Sequence, residues 1–351
     1  NLERQGLDLF NSLKGVDVLV TGHDHSTKVL KTDSTVLLDC GRAGQYACLA
    51  DIKLVVRGGK VISRSLSGEV ESFGSENYDT AMEEAFKSDY EKVRDFNASH
   101  VGEVKKDLVS REFYYRQCDY MNFLHALAFS AWPVDISLSA TLLIDGMVPA
   151  GVVRYQDIRK IYPYDNKLIV LRLTGAEILR YLEASYDAWI STVPGPAEGS
   201  HVLRITQTKD YATGGMKWKL AKSPANFDSA AGIRYTVDVT KPYGSRVTVS
   251  GMADGSPFEM DKDYSVAITS YRSTGSGGLM KAAGLMDARS VEDRIIYRGP
   301  EFRTILYRYL KKHGSIDPAV VGDPNVVGSW RFVPDFAPEA IKADVQLIYG
   351  K

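Results

Sequence analysis

The stretch that most constrains the fold is Ile161–Glu183, which reads IYPYDNKLIVLRLTGAEILRYLE. Within it, Lys167–Leu173 is almost continuously apolar, and such a run is typical of a strand that is covered on both faces. Thr174 and Glu177 lie three residues apart and predict a capping box at the start of a helix. From Ile178 onward, apolar residues recur at helical spacing. The stretch therefore predicts a buried strand, a tight turn and an amphipathic helix.

The residues in front of this strand, Tyr164, Asp165 and Asn166, are not explained by packing. An aromatic ring beside small polar groups at the mouth of a strand can stack a planar ligand and hydrogen-bond its edge. The alternative is a core tyrosine followed by a turn, and residue types alone favour that alternative.

Composition limits the classes of protein that need to be considered. A chain of 351 residues with 44% hydrophobic and 25% charged residues is long enough for two domains and ordinary for a globular protein. The net charge of -1 gives no bulk attraction to nucleic-acid polymers or membranes. No apolar run is long enough to span a bilayer, and the chain opens on an amphipathic helix rather than a signal peptide. Cys40 and Cys48 either pair or remain thiols, and Cys118 is the third cysteine.

A pair of histidines marks the end of the first predicted strand, Val16–Thr21, which runs into Gly22-His23-Asp24-His25. Side chains alternate along a strand, so His23 and His25 share a face if the extended geometry continues. Two imidazoles beside an aspartate suit a metal site. A polar turn with two exposed histidines is an equally good interpretation of the tetrapeptide.

The chain then predicts two bodies joined by a helix. A β region with a Gly58-Gly59 hairpin turn ends near Phe73. The helix predicted at Tyr78–Phe96 is charged, with one narrow apolar stripe, which is typical of a helix that bridges two bodies. A larger unit of mixed strands and helices begins near His100.

A second polar segment follows a buried strand in that larger unit. Tyr264–Thr269 is the strand, and it runs into the glycine-rich segment Ser270–Gly278. Glycine allows backbone amides to face a ligand. The alternative is a flexible loop.

Several stretches together resemble one family. Tyr162–Asn166, Leu173–Gly175 and Tyr271–Gly278 resemble the C-terminal domain of 5′-nucleotidases. Gly22–His25 resembles the last metal-binding motif of the calcineurin-like metallophosphatase domain that precedes it. Asp135–Ala140 stands where 5′-nucleotidases carry Asn-Gly-Gly-x-Arg, so the similarity is greater to the bifunctional 2′,3′-cyclic-nucleotide 2′-phosphodiesterase/3′-nucleotidase branch.

The resemblance implies an α+β chain in three parts. Residues 1–73 would be the end of a metallophosphatase β-sandwich, and 74–99 a linker helix. Residues 100–351 would be the nucleoside-binding domain, a mixed β-sheet flanked by helices. The chain would be a fragment of an exported, periplasmic or extracellular protein.

The resemblance also implies a metal cofactor. Two divalent ions, such as Zn²⁺ or Mn²⁺, activate a water and clamp the phosphate in this family. His23 and His25 match two of the ligands. The remaining ligand motifs are missing from this sequence, so the site would be incomplete, no residue here would be catalytic, and the chain alone would be inactive.

The substrate contacts implied by the resemblance fall on the two polar segments. Tyr164 and Tyr271 would sandwich a nucleobase and Asn166 would hydrogen-bond it, with Gly275 and Gly277 in the adjoining loop. The partners would be nucleotides or nucleosides and not nucleic-acid polymers.

The preferred reaction is hydrolysis of 2′,3′-cyclic nucleotides and nucleoside monophosphates. A plain 5′-nucleotidase or UDP-sugar hydrolase is the enzymatic alternative. A non-catalytic nucleotide-binding or adhesion module is the other alternative. Arg111 and Arg116 lie near the phosphate-binding arginines of the family, but their spacing does not match the 5′-nucleotidase pattern.

Overall fold

The computed structural model describes residues 2–22, 25–74, 79–197, 199–210, 214–286 and 291–350. The chain divides into an N-terminal unit, Asn1–Tyr90, and a C-terminal unit, Glu91–Lys351. The boundary between them falls inside one helix. Among the described residues, no helix has the length and apolarity of a membrane-spanning segment.

The N-terminal unit is built on a small mixed sheet and a long hairpin. Its elements are α1 (Leu2–Ser12), β1 (Val18–Thr21), β2 (Thr27–Lys31), β3 (Val36–Cys40), β4 (Tyr46–Arg57) and β5 (Lys60–Ser72). β3 lies between β1, to which it is parallel, and β2, to which it is antiparallel. Its Val36 and Leu38 pack with Leu66 of β5 in a small core. β4 and β5 pair along their whole length, and Gly58 and Gly59 between them have φ angles of 57° and 72°. The predicted hairpin is confirmed, because two left-handed residues are what a two-residue turn between twisted strands requires.

The cysteines are settled by the structure. Cys40 at the end of β3 forms a disulfide with Cys48 in β4. Cys118, in the C-terminal unit, is a buried free thiol, and burial raises its pKa to about 12. Such a thiol is protonated at neutral pH and therefore unreactive.

The hairpin and the following helix leave much apolar surface exposed. The hairpin residues concerned are Leu49, Ile52, Leu54, Val55, Val56, Val61 and Ile62. In helix α2 (Thr80–Ala98), the predicted apolar stripe of Met82, Phe86, Tyr90 and Val93 is exposed, and none of the helix residues is buried.

The C-terminal unit contains the main core. Its strands are β6 (His100–Val104), β7 (Leu108–Val109), β8 (Ile136–Ala140), β9 (Met147–Val148), β10 (Gly151–Arg154), β11 (Lys167–Thr174), β12 (Ile205–Lys209), β13 (Met216–Leu220), β14 (Asp228–Ala231), β15 (Ile233–Asp238), β16 (Val247–Met252), β17 (Asp263–Thr269), β18 (Ile295–Glu301), β19 (Ser315–Ile316) and β20 (Gly328–Val333). Its helices are α3 (Asp119–Ala131), α4 (Ile158–Ile161), α5 (Gly175–Trp189), α6 (Ser270–Ser273), α7 (Leu279–Ala282), α8 (Phe302–His313), α9 (Pro318–Val321), α10 (Pro324–Val327) and α11 (Phe336–Tyr349). The mixed α and β composition predicted for this unit is confirmed.

A five-stranded mixed sheet organises this unit, in the order β14-β8-β17-β11-β18. β11 is antiparallel to both of its neighbours, and β17 is parallel to β8. Leu168, Ile169, Val170 and Leu171 of β11 are all buried. The apolar run in the sequence therefore corresponds to an internal strand, as predicted.

Helix α5 follows β11 through the predicted capping box. The Glu177 backbone N–H donates to Thr174 Oγ1 at 3.3 Å, and the Thr174 N–H donates to Glu177 Oε2 at 2.9 Å. At its other end Trp189 is fully buried and stacks on Tyr186 and Phe227, with ring centroids 5.0 and 5.6 Å apart. The helix is thus fixed at both ends.

Candidate functional site

The ends of four neighbouring strands meet at one edge of the five-stranded sheet. β11 and β17 are antiparallel, with Leu168 opposite Thr269, so the residues before β11 and after β17 lie together. β8 runs parallel to β17 and ends at the same edge, and Asp228 at the start of β14 pairs with Ala140. Strand topology therefore gathers segments from four parts of the sequence.

A cavity of about 200 Å³ lies at this edge. Its lining includes apolar side chains, among them Leu138 and Leu142, and the predicted site residues Tyr164, Asn166 and Tyr271. An apolar pocket with a few polar groups is the usual form of a small-molecule site. Three of the five residues predicted to contact substrate are thus neighbours in the structure.

Tyr164 and Tyr271, together called the tyrosine clamp below, lie at the rim of this cavity. Each of the two is 44% exposed, whereas Tyr120 and Tyr181 are fully buried. The alternative interpretation of Tyr164 as a core tyrosine is therefore wrong. An exposed aromatic face beside an apolar cavity is available for stacking with a planar ligand.

The segment that carries Tyr164 is fastened to the start of α8. Arg303 donates through Nε to the Tyr162 carbonyl at 3.0 Å, and its two terminal nitrogens bind the Pro163 carbonyl and the Asp165 carboxylate. These three contacts lie on both sides of Tyr164 in the sequence.

Asn166 is held by the same structure. Its backbone carbonyl accepts a hydrogen bond from the Phe302 N–H at 2.9 Å. Tyr162, four residues earlier in the chain, is buried, and burial raises the pKa of its hydroxyl. Tyr162 in turn stacks on Phe302 with ring centroids 5.1 Å apart. The backbone of Asn166 is thus fixed beside the cavity.

The segment that carries Tyr271 is fastened by a buried ion pair. Arg272 and Asp228 are 3% and 1% exposed, and two guanidinium nitrogens contact the carboxylate at 2.5 and 3.0 Å. Arg272 also donates to Asn226 Oδ1 at 3.0 Å and to the Ala225 carbonyl at 2.5 Å. Tyr181 donates to the second carboxylate oxygen of Asp228 at 2.6 Å. The pair is therefore fully hydrogen-bonded, which is the condition for tolerating buried charges.

The protonation of this pair follows from its surroundings. Burial alone would lower the pKa of Arg272, but the nearby carboxylate of Asp228 outweighs that effect and raises the pKa of Arg272 above its ordinary value. The guanidinium therefore remains charged at any accessible pH.

The glycine-rich segment is an ordered turn. Gly275 and Gly277 are outside the residues lining the cavity, so a contact of either with substrate stays a prediction. The Gly275 N–H donates to the Arg272 carbonyl at 2.9 Å, which uses that amide within the turn. Gly277 has a φ of +76°, and a Cβ built there would overlap Asn226 Oδ1 and Arg272 Nη1. Glycine at 277 is thus required for the turn to close over Arg272.

We expect Gly277→Ala to destabilise the C-terminal unit more than Gly278→Ala. Both glycines have left-handed backbone, with φ of +76° and +77°, so both variants share a penalty of about 1–2 kcal/mol. Only the Cβ at 277 meets other atoms, and these belong to Arg272 and Asn226, which hold each other in place. Overpacking adds about 1–3 kcal/mol at position 277. Thermal unfolding of the two variants measures the difference, and equal melting temperatures would contradict this account of the turn.

The predicted metal ligands do not form a site within the described structure. His23 lies outside the described residues, and His25 is exposed with a φ of 59°. Where the structure is described, no group of three or more His, Cys, Asp or Glu side chains is placed to hold a metal ion. The two-metal centre therefore stays a prediction, and no chemical step is assigned to it.

The two arginines near the expected phosphate site have other partners. Arg111 forms an ion pair with Asp145 at 2.5 Å, and Arg116 pairs with Glu112. Neither arginine lines the cavity beside the tyrosine clamp.

Sequence reasoning did not identify Arg303, Asp228 or Arg272 as parts of this site. For Arg272, the only signal available in the sequence was its position directly after Tyr271, inside the motif Tyr271–Gly278. Arg303 and Asp228 come from distant elements and carry no local pattern.

Comparison with protein families gives a match to the family model described as "5′-nucleotidase, C-terminal domain", over residues 100–284. This range includes the strands β8, β11, β14 and β17 and both halves of the tyrosine clamp.

Curated relatives share low sequence identity over large parts of the chain. The trifunctional nucleotide phosphoesterase protein YfkN of Bacillus subtilis is 22% identical over 90% of this chain and 23% of its own length. A 2′,3′-cyclic-nucleotide 2′-phosphodiesterase/3′-nucleotidase of Haemophilus influenzae is 27% identical over 53% of this chain and 26% of its own length. The chain thus spans about a quarter of the length of these relatives.

A solved structure has a similar fold. The crystal structure of a Staphylococcus aureus protein assigned as a 5′-nucleotidase superposes with a TM-score of 0.57 at 18% identity. The similarity covers 92% of this chain and 57% of that protein. At this identity the comparison concerns the fold alone.

Proposed function

Because the chain belongs to the 5′-nucleotidase C-terminal domain family, we propose that its C-terminal unit binds the nucleoside part of a nucleotide that the whole protein hydrolyses. One observation carries the proposal: the lining of a single cavity includes Tyr164, Asn166 and Tyr271. Relatives of the chain are phosphoesterases by name, which supports a nucleotide as the substrate class.

In the proposed complex the base lies between the two rings of the tyrosine clamp. Stacking on aromatic faces tolerates any base, because every base presents a π-face. The amide of Asn166 then hydrogen-bonds the edge of the base. The apolar lining contributed by Leu138 and Leu142 excludes water and strengthens both interactions.

The preferred reaction for the whole protein is hydrolysis of 2′,3′-cyclic nucleotides and of nucleoside 3′-monophosphates. The name of the Haemophilus influenzae relative supports it. So does Asp135–Ala140, which lacks the arginine of the Asn-Gly-Gly-x-Arg motif in 5′-nucleotidases. The products formed from 2′,3′-cyclic AMP, 3′-AMP, 5′-AMP and a UDP-sugar, compared for the whole protein, separate this activity from that of a 5′-nucleotidase or a UDP-sugar hydrolase.

For the N-terminal unit the proposal follows the family resemblance. Residues 1–73 are the end of a metallophosphatase domain, 74–99 a linker helix and 100–351 the nucleoside-binding domain. Two divalent metal ions serve the whole protein, with His23 and His25 among their ligands. Hydrolysis is thus assigned to the whole protein, and only nucleoside binding to the C-terminal unit.

We place the protein in an exported compartment, periplasmic or extracellular. The disulfide between Cys40 and Cys48 supports this location, since disulfides persist in oxidising environments and are rare in the reducing cytosol.

Calorimetric titration of adenosine into the chain tests the proposed site. We expect Tyr164→Ala and Tyr271→Ala each to weaken binding by roughly tenfold or more, because stacking on one aromatic side chain contributes about 1–3 kcal/mol per base. Tyr→Phe at either position keeps the ring face and is expected to retain most of the affinity.

A matched control is Tyr243→Ala, since Tyr243 is 52% exposed and does not line the cavity. Its affinity for adenosine is expected to equal that of the wild type. Thermal melts on the same samples identify any variant that has lost its fold. A folded Tyr164→Ala or Tyr271→Ala variant with wild-type affinity would refute the clamp as a base-binding site.

A further inference from the structure

We propose that Arg272 and Arg303 are positioning residues for the tyrosine clamp, each fixing the backbone segment that carries one ring. The inference rests on the proposed function, because the clamp is the part of the site that would hold the base. Neither arginine is assigned a contact with the ligand. Their role is to hold the two rings in the orientation needed for stacking before a ligand arrives.

Arg303 fixes the first ring from the helix side. Its guanidinium binds the Tyr162 and Pro163 carbonyls and the Asp165 carboxylate, which flank Tyr164. The Arg303 side chain is 20% exposed, whereas that of Asp165 is 71% exposed. The contacts of Arg303 with the two backbone carbonyls are therefore more shielded from solvent than its contact with the Asp165 carboxylate. Because Arg303 lies in the first turn of α8, the Tyr164 segment takes its position from that helix.

Arg272 fixes the ring of Tyr271. It follows Tyr271 directly in α6, a helix of four residues, and so short a helix is not stable by itself. The Arg272 guanidinium carbon lies 5.4 Å from the centroid of the Tyr271 ring, within the range of a cation–π contact. Arg272 lines the cavity, but its donors are occupied by Asp228, Asn226 and backbone carbonyls, so its contact with the Tyr271 ring serves to orient that ring.

The two segments are also tied to each other. The Lys167 N–H at the start of β11 donates to Ser270 Oγ at 3.0 Å. Ser270 directly precedes Tyr271, and Lys167 follows Asn166. The spacing between the two halves of the tyrosine clamp is thereby set by this hydrogen bond as well as by strand register.

The chemistry of the guanidinium explains why arginine occupies both positions. Its planar fork carries five N–H donors and satisfies several acceptors at once, which a lysine ammonium on a flexible stem does not do in the same geometry. Pre-ordering a binding group removes part of the entropy cost of association. Loss of the guanidinium contacts of either arginine is therefore expected to weaken adenosine binding by roughly three- to tenfold.

A double-mutant cycle on Arg303 tests the inference with adenosine calorimetry. Arg303→Met is expected to weaken binding by roughly three- to tenfold in the wild-type background and to have no further effect in Tyr164→Ala, because the ring that it positions is then gone. Arg303→Lys is expected to restore little of the affinity. Arg298→Met is the matched control, since Arg298 is exposed and pairs with Glu292 at the surface. An equal loss in both backgrounds, or no loss in the wild-type background, would overturn the role of Arg303.

The corresponding cycle for Arg272 uses Asn226→Ala, which removes one partner of Arg272 without leaving a buried charge unpaired. We expect weaker adenosine binding in the wild-type background and no further loss in Tyr271→Ala. An effect of the same size in both backgrounds contradicts the positioning role.

Hydrogen exchange in the absence of ligand separates this inference from the proposed function. Residues 162–166 are expected to exchange faster in Arg303→Met than in wild type, whatever the ligand. If wild type binds no adenosine, the proposed function is refuted and the inference falls with it. If wild type binds, Tyr164→Ala does not, and exchange over 162–166 is unchanged in Arg303→Met, only the inference is refuted.

Discussion

Asp228→Ala is expected to lower the free energy of unfolding of the C-terminal unit by about 3–5 kcal/mol, because removing one partner of a buried ion pair leaves an uncompensated charge. Arg272 is 3% exposed and would lose its only carboxylate contact among the described residues. Tyr181, which is fully buried, would lose the acceptor for its hydroxyl at the same time. The Arg272 side chain has little freedom to move toward solvent, because the turn containing Gly277 packs against it.

Urea unfolding followed by tryptophan fluorescence measures this change in the relevant unit. The four tryptophans of the chain all belong to Glu91–Lys351: Trp132, Trp189, Trp218 and Trp330. Glu292→Ala is the matched control, because it breaks an exposed ion pair with Arg298, and such pairs contribute about 0–1 kcal/mol. If both variants unfolded at the same urea concentration, the buried pair would have no special structural role.

His125→Gln is expected to flatten the dependence of stability on acid pH. His125 is 2% exposed, with ring nitrogens 2.9 and 3.4 Å from the hydroxyls of Ser137 and Ser229. Burial lowers the pKa of His125 to about 4, against a partial opposing effect of the Asp228 charge. Below about pH 6.5 the histidine is protonated in the unfolded state but stays neutral in the folded state. The free energy of unfolding therefore decreases as the pH is lowered from about 6.5 to about 4. The loss attributable to this histidine over that window is roughly 3 kcal/mol.

The measurement is the free energy of unfolding at several pH values from 7 to 4. Other groups also titrate in this range, so the relevant quantity is the difference between wild type and His125→Gln, which should change steadily as the pH falls. His100→Gln, at an exposed histidine, serves as the control. Parallel curves for wild type and His125→Gln would show that His125 does not stay neutral in the folded protein.

The central elements could be predicted from the sequence because their local signals agree with their tertiary environment. The apolar run of β11 is buried on both faces, and the Thr174–Glu177 capping box marks where α5 begins. At Gly58-Gly59 the backbone conformation required by the hairpin is available to few other residues. In each of these places propensity, patterning and packing favour the same structure.

Other elements could not be predicted because local and tertiary preferences disagree. β18 is an edge strand with partly exposed residues, and its charged sequence reads as a loop. Pro338 near the start of α11 reads as a helix breaker, although proline is tolerated in the first turn, where backbone N–H groups have no partner within the helix. The hairpin of β12 and β13 is largely exposed and lacks a clear apolar alternation.

The candidate site was predictable only where its residues adjoin recognisable strands. Tyr164 precedes β11 and Tyr271 follows β17, so strand prediction drew attention to both. Arg303 stands 141 positions from Tyr162 and Asp228 stands 44 positions from Arg272. Contacts over such separations are set by sheet order and helix packing, which single-sequence patterns do not reveal.

The bond between Lys167 and Ser270 joins positions 103 apart in the chain. The binding surface is therefore a discontinuous epitope, with no contiguous peptide that contains both rings in their relative positions. Closing a loop of that length has an entropic cost, which the assembled sheet offsets, so the cavity depends on the long-range strand pairing. Transplanting this recognition surface to another protein would consequently require moving the whole sheet.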